Sequence, residues 1–285
     1  ISKRMAQLAH SLISMGINPG DRVATLAWNG YRHLELYYAI SGIGAVCHTI
    51  NPRLSSDQLT YIINHAEDLL LFVDLTFVPI LEAVKEKLPP EIKIIILTDK
   101  KNMPKTSLKT MCYEELLKDK PQKINWPDFN EDTAASLCYT SGTTGEPKGT
   151  LYSHRSTVLH AMMIAISLPD ALKEGKKILP VVPLFHVNAW GLPYAAPLTG
   201  AGIVFPGPKL DGDSLFNLME AEKVYSAWGV PTVWLNLLET ISIKQRPPIG
   251  FGDVVIGGAS APRAMIENFE KLNINVCHAW GMTEM

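Results

Sequence analysis

Short apolar runs alternate along this chain with stretches of helical period, the pattern of a parallel α/β sheet with connecting helices. Strands are expected at 22–28, 45–50, 69–73, 92–98, 134–140, 178–182, 202–205, 225–228, 254–256 and 274–279. Helical periods fall at 31–41, 56–65, 77–87, 156–167, 214–221 and 231–240. Ser55 or Ser56, ahead of Asp57 and Gln58, supplies a helix start, and Pro231 suits a first helical position. The segment 99–132 interrupts the alternation. It is lysine-rich, holds Pro104, Pro121 and Pro127, and has weak periodicity, so it reads as a surface excursion.

A length of 285 residues suits one large or two medium domains. Apolar content of 47% with 19% charge belongs to a folded globular chain and not a disordered one. A net charge of −2 without a basic cluster argues against nucleic acid as a partner. Cys47, Cys112, Cys138 and Cys277 lie far apart with no metal-type spacing; Cys138 and Cys277 sit in strand-like runs, as buried thiols of a reducing cytoplasm do. No secretory signal opens the chain, and Ile1 at the first position suggests that a true N-terminus lies upstream. The run 178–208 is uncharged and long enough to cross a bilayer. Pro180, Pro183, Pro193, Pro197 and Pro206 would break such a helix repeatedly, so it reads as strand, loop, helix and strand.

The candidate chemistry starts at Tyr139-Thr140-Ser141-Gly142-Thr143-Thr144-Gly145-Glu146-Pro147-Lys148-Gly149, directly after an apolar run. Glycines let backbone N–H groups approach an anion, hydroxyls add donors, and Lys148 adds a positive charge. Together they make a phosphate cradle, whose scarcity of apolar anchors predicts low local stability at 141–146 without nucleotide. A P-loop ATPase is disfavoured, because Pro147 precedes the lysine and Gly149 follows it where that loop has Gly and Ser/Thr.

The wording of this loop resembles the signature of the adenylate-forming superfamily, which contains acyl-CoA synthetases, luciferases and peptide-synthetase adenylation domains. A second cluster, His278-Ala279-Trp280-Gly281-Met282-Thr283-Glu284, is similar to the family's Tyr-Gly-x-Thr-Glu motif, with Trp280 in place of the tyrosine. Between the two stand Pro183-Leu184-Phe185-His186-Val187-Asn188-Ala189-Trp190-Gly191 and Gly257-Gly258-Ala259-Ser260-Ala261-Pro262. Taken alone, His186 reads as a hydrogen-bonded core histidine and the 228–234 cluster as core filling. The resemblance runs through nearly the whole chain and is nearest to bacterial medium- and long-chain fatty-acyl-CoA synthetases.

That resemblance implies two packed, doubly wound α/β subdomains of the synthetase N-terminal domain, placed here at 1–132 and 133–285. It implies that Thr140, Ser141, Gly142, Thr143, Thr144, Gly145 and Lys148 hold the ATP phosphates. Gly257, Gly258 and Ala259 would border adenine, Trp280 and Gly281 would pack on it, and Thr283 would donate to the α-phosphate. Mg²⁺ would be held by Glu284 with Thr140, and Thr140, Lys148, Thr283 and Glu284 would be the catalytic set. His186, Trp190, Val230 and Pro231 would line the acyl pocket. The usual acid beside the phenylalanine of peptide-synthetase domains is missing, which disfavours amino acids as substrates. The implied function is a cytoplasmic fatty-acid–CoA ligase, using ATP and coenzyme A through an acyl-adenylate. A homodimer and a peripheral membrane contact stay open, without a transmembrane segment. The ribose-binding acid, hinge and C-terminal lysine of the family are not in this sequence, so the 285 residues alone are expected to be inactive. A ligase for a branched or aromatic acid, or a non-catalytic nucleotide-binding module, remain the alternatives.

Overall fold

A computed structural model describes residues 1–140 and 145–285, which form two compact units, Ile1–Thr157 and Val158–Met285. The first runs α1 (Ser2–Ser14), β1 (Arg22–Leu26), α2 (Tyr31–Gly42), β2 (Val46–Thr49), α3 (Ser56–His65), β3 (Leu70–Val73), α4 (Val78–Val84), β4 (Lys93–Ile96), β5 (Thr110–Cys112), α5 (Tyr113–Leu117), β6 (Ala134–Thr140) and β7 (Lys148–Ser153). A helix, α6 (His154–Ser167), begins in this unit and ends in the next. The sheet order is β5-β4-β3-β1-β2-β6-β7, parallel throughout except for the antiparallel β6/β7 edge.

Strands buried on both faces must be apolar at nearly every position, which is why 22–26, 70–73 and 93–96 read as continuous runs. Ala24, Leu26, Ile50, Leu71, Val73, Ile94 and Ile96 meet Leu59, Ile62 and Ile63 of α3 and Leu81 of α4 on one face. The alternate residues Val23, Phe72 and Ile95 are equally buried, as are Leu8 and Leu12 of α1 and Leu36, Tyr37 and Ile40 of α2. The unit is therefore doubly wound.

Helix α3 starts at the expected place. Ser55 accepts from the Gln58 backbone N–H, and the Gln58 side chain accepts in return from the Ser55 N–H, a full capping box. Ser55→Ala should lower the unfolding free energy of the full-length protein by about 1 kcal/mol, read as a shifted urea midpoint at constant slope.

The expected surface excursion at 99–132 is corrected. Its middle forms β5 and α5, and Tyr113 is fully buried with its hydroxyl donating to Glu35 at 2.7 Å. Arg4 bonds both Glu35 and Glu114, and Arg32 bonds Glu114 at 2.8 Å, so this segment is tied to α1 and α2. The lysines that suggested a solvated loop flank these anchors. The expected division at 132/133 also differs from the compact units, which divide after Thr157. The reason is pairing: β6 lies parallel to β2 and carries β7 with it into the first sheet.

The second unit contains β8 (Lys177–Pro180), α7 (Leu192–Thr199), β9 (Gly202–Ile203), α8 (Gly212–Glu222), β10 (Ser226–Gly229), α9 (Pro231–Lys244), β11 (Asp253–Ile256), α10 (Arg263–Lys271) and β12 (Asn275–His278). Its five strands are all parallel in the order β12-β11-β10-β8-β9. One core joins Leu179, Val254 and Ile256 to Phe216, Trp234, Leu237, Met265 and Phe269 of α8, α9 and α10. The uncharged run 178–208 is β8, an irregular turn, α7 and β9, and no helix among the described residues is long and apolar enough to cross a membrane.

Candidate functional site

In the first unit the candidate loop is closed at its base by the antiparallel pair Thr140↔Lys148. Strand β6 starts and stops where the apolar run predicts, at 134 and 140. Of the expected phosphate contacts, Thr140, Gly145 and Lys148 are described, while Ser141, Gly142, Thr143 and Thr144 lie outside the described residues, as does most of the segment expected to be of low stability. Lys148 is exposed, with its neighbour Gly149 paired to Tyr139.

In the second unit, the order of the strands fixes where a ligand can enter. From β8 the chain moves to β9 on one side, then returns across β8 to β10 and continues to β11 and β12 on the other. The strand order therefore reverses between β8 and β10, and in open parallel sheets ligands bind in the crevice at the carboxyl ends beside such a reversal. His186 and Trp190 follow β8, Val230 and Pro231 follow β10, Gly257, Gly258 and Ala259 follow β11, and Trp280, Gly281, Thr283 and Glu284 follow β12. All four groups stand at the carboxyl end of the sheet. The strands join there: Val181 N–H donates to Trp228 O at 2.8 Å, Gly257 N–H to Gly229 O at 3.2 Å, and Ala279 N–H to Ile256 O at 2.8 Å.

The loop after β8 holds a feature that no sequence period shows. Val187, Asn188, Ala189 and Trp190 all have φ between 48° and 55°, and Gly191 follows at 78°. A run of left-handed non-glycine residues costs roughly 1–2 kcal/mol per residue and persists only where its surroundings over-determine it. Here Asn188, Ala189 and Gly191 are buried, the Ala189 N–H donates to His186 O at 3.0 Å, and His160 and Ile164 of α6 close over Gly191. The only local signals are an asparagine, which tolerates this backbone, and the terminal glycine.

That turn lays the Trp190 indole on the loop after β11. A Cβ at Gly257 would stand 3.0 Å from the indole and 3.1 Å from the Ala279 carbonyl oxygen, so the close approach requires glycine there. Trp190 is half-buried against the candidate adenine-bordering turn, and Val230 touches the same turn, a Cβ at Gly258 standing 3.1 Å from it. His186 keeps solvent access, while the protein around it lowers its imidazole pKa by desolvation. The structure thus brings His186, Trp190, Val230 and Gly257–Gly258 onto adjoining loops. Trp228, in the cluster that reads as core filling, is indeed buried, its indole donating to Ser226; Trp234 donates to the Gly229 carbonyl.

Trp280 is 79% exposed, an indole face open for stacking, and Glu284 is exposed beside buried Thr283. Among the described residues no three His, Cys, Asp or Glu side chains gather as a metal cage. The exposed Glu284 carboxylate suits Mg²⁺, which takes few protein oxygens and completes its shell with water and substrate phosphates.

A protein-family model described as AMP-binding enzyme matches residues 1–285. The chain is 49% identical over its whole length to a medium-chain-fatty-acid–CoA ligase of Ectopseudomonas oleovorans, covering 53% of that protein. It is 47% identical to a 3-methylmercaptopropionyl-CoA ligase of Ruegeria lacuscaerulensis, again covering all of this chain and 53% of the relative. The chain thus spans about half the length of the curated relatives it matches. The fold superposes on the crystal structure of the anthranilate CoA ligase AuaEII in complex with anthranoyl-AMP, with a TM-score of 0.89 at 21% identity. That match covers 99% of this chain and 54% of the other.

Proposed function

The chain belongs to the AMP-binding enzyme family, and from that premise we propose that the full-length protein is an AMP-forming fatty-acid–CoA ligase. A medium-chain fatty acid, ATP and coenzyme A are its substrates. The observation that carries the reading is the convergence of the loops after β8, β10, β11 and β12 at one end of the second sheet, with an apolar wall beside an exposed aromatic face.

In this reading the fatty-acid carboxylate attacks the α-phosphorus of ATP and pyrophosphate leaves; the thiol of coenzyme A then displaces AMP from the acyl-adenylate. Thr140, Ser141, Gly142, Thr143, Thr144, Gly145 and Lys148 hold the phosphates that leave as pyrophosphate, where positive charge and N–H or O–H donors stabilise charge as it develops. Thr283 donates to the α-phosphate. Glu284, with Thr140, holds Mg²⁺, which when bound neutralises phosphate charge. Trp280 and Gly281 pack on adenine, bordered by Gly257, Gly258 and Ala259. His186, Trp190, Val230 and Pro231 line the acyl pocket, and the segment Phe185–Trp190 carries no acid to pair an amino group. Cys47, Cys112, Cys138 and Cys277 form no disulfide, which supports a reducing cytoplasm as the working compartment. A homodimer is the assembly to measure by light scattering.

The relative from Ruegeria lacuscaerulensis favours a second reading, in which the acid is short and carries a thioether. The full-length protein should be incubated with ATP, Mg²⁺ and a panel of acids without coenzyme A, and the adenylates identified by mass spectrometry. Octanoyl-AMP as the main product supports the first reading, and 3-methylmercaptopropionyl-AMP the second; no adenylate with any acid overturns both.

Trp190→Ala should shift the acid chain-length profile, changing KM for the preferred acid by about tenfold while KM for ATP stays within twofold. A lowered melting temperature with an unchanged profile would mean that the indole only fills space against Gly257.

A further inference from the structure

The phosphate loop is approached through Tyr139, and three side chains that no function yet claims, His65, His48 and Asp68, gather about that residue. Its hydroxyl lies 2.6 Å from Nδ1 of His65, the last residue of α3. Its ring centroid stands 5.1 Å from that of His48, on the neighbouring strand β2. His48 is fully buried and its Nδ1 lies 2.7 Å from Oδ2 of Asp68, just beyond α3 and also buried. On the other side, across the antiparallel pair, a Cβ at Gly149 would stand 3.3 Å from Cζ of Tyr139 and 3.0 Å from Cδ1 of Leu137. The ring therefore lies over Gly149, the residue after Lys148, with His48 against its opposite flank.

The register makes this arrangement coherent. His48 pairs with Leu137 and Tyr139 with Gly149, so His48, Leu137, Tyr139 and Gly149 share the sheet face covered by α3. The buried pair is an odd choice for stability. His48 Nε2 and Asp68 Oδ1 are buried without a hydrogen-bond partner among the described residues, and burial raises the Asp68 pKa against the pull of His48. Replacing such a pair with well-packed apolar residues is often neutral or stabilising. A polar pair held at this cost, on and beside the strand next to the one that enters the loop, points to placement of that strand.

We propose that Tyr139 is a positioning residue for the phosphate loop, held across Gly149 by His65 and by the buried His48–Asp68 pair. Its ring fixes how Thr140 and Lys148, the two residues that close the loop, are presented to the triphosphate. This rests on the adenylation reading of that loop.

The test uses the full-length protein and ATP–pyrophosphate exchange, with Lys148→Ala alongside. Tyr139→Phe removes only the bond to His65 and should raise KM for ATP about fivefold, with KM for the acid and the melting temperature unchanged. Tyr139→Leu and Gly149→Ala, which remove or displace the ring, should raise KM for ATP by about tenfold or more. His48→Leu combined with Asp68→Leu should keep or raise the melting temperature and still raise KM for ATP. The inference is overturned if Lys148→Ala loses exchange while every Tyr139 and Gly149 variant keeps wild-type KM for ATP, or loses only thermal stability. If Lys148→Ala itself exchanges like wild type, the adenylation reading of the loop fails first and the inference with it.

Discussion

Lys148→Ala in the full-length protein should lower the rate of ATP–pyrophosphate exchange by about 100-fold, the usual loss when one preorganised charged donor is removed from a developing anion. The effect should fall on kcat and on KM for ATP, and binding of the fatty acid, measured by calorimetry without nucleotide, should stay within twofold. The physical ground is the placement of Lys148 at the closing pair of the β6/β7 hairpin, exposed and opposite Thr140. Among the described residues no carboxylate forms an ion pair with it, so its charge is not committed to holding the fold. An alanine there should cost function far more than stability. Wild-type exchange kinetics in this variant, or a loss matched by weaker acid binding, would show that the lysine does not face phosphate.

Glu284→Ala should move the Mg²⁺ requirement. The concentration for half-maximal exchange should rise by about tenfold, and saturating Mg²⁺ should restore much of the rate, because a metal held by one carboxylate with water and phosphates is weakened and not abolished by losing it. The exposed Glu284 side chain follows buried Thr283 at the carboxyl end of the second sheet, so the substitution removes an oxygen ligand without opening a core. Glu284→Gln should fall between wild type and alanine. An unchanged Mg²⁺ titration in both variants would leave the carboxylate without its assigned role, and a collapse of thermal stability would assign it to the fold.

The parallel α/β class was legible because strands buried on both faces leave unbroken apolar runs, and β6 falls at 134–140 as its run requires. The capping box at Ser55 likewise announced α3. Helix α7 was legible only as a helix somewhere in the run 178–208, without bounds, since Leu192, Pro193, Ala195 and Ala196 are all buried and Pro197 interrupts its period. Strand β7 was hidden by Lys148 and Gly149 at its start and by partial exposure along its length. The 110–117 segment was concealed by flanking lysines, although Tyr113 is one of the most buried residues of the first unit. For the site, motif wording picks out candidate loops but cannot show that four of them stand together at one sheet end. That follows from strand order, a long-range property. The left-handed turn at Val187–Gly191 was equally out of reach, because neighbouring side chains hold it and no local preference does.

The central claim, that the full-length protein joins a fatty acid to AMP, is tested most directly by fatty-acid-dependent exchange of labelled pyrophosphate into ATP without coenzyme A. The account predicts exchange that requires Mg²⁺, depends on the acid, is strongest with a medium-chain fatty acid, and is lost in Lys148→Ala. Formation of ADP and phosphate in place of AMP and pyrophosphate, or exchange indifferent to the acid supplied, would contradict it.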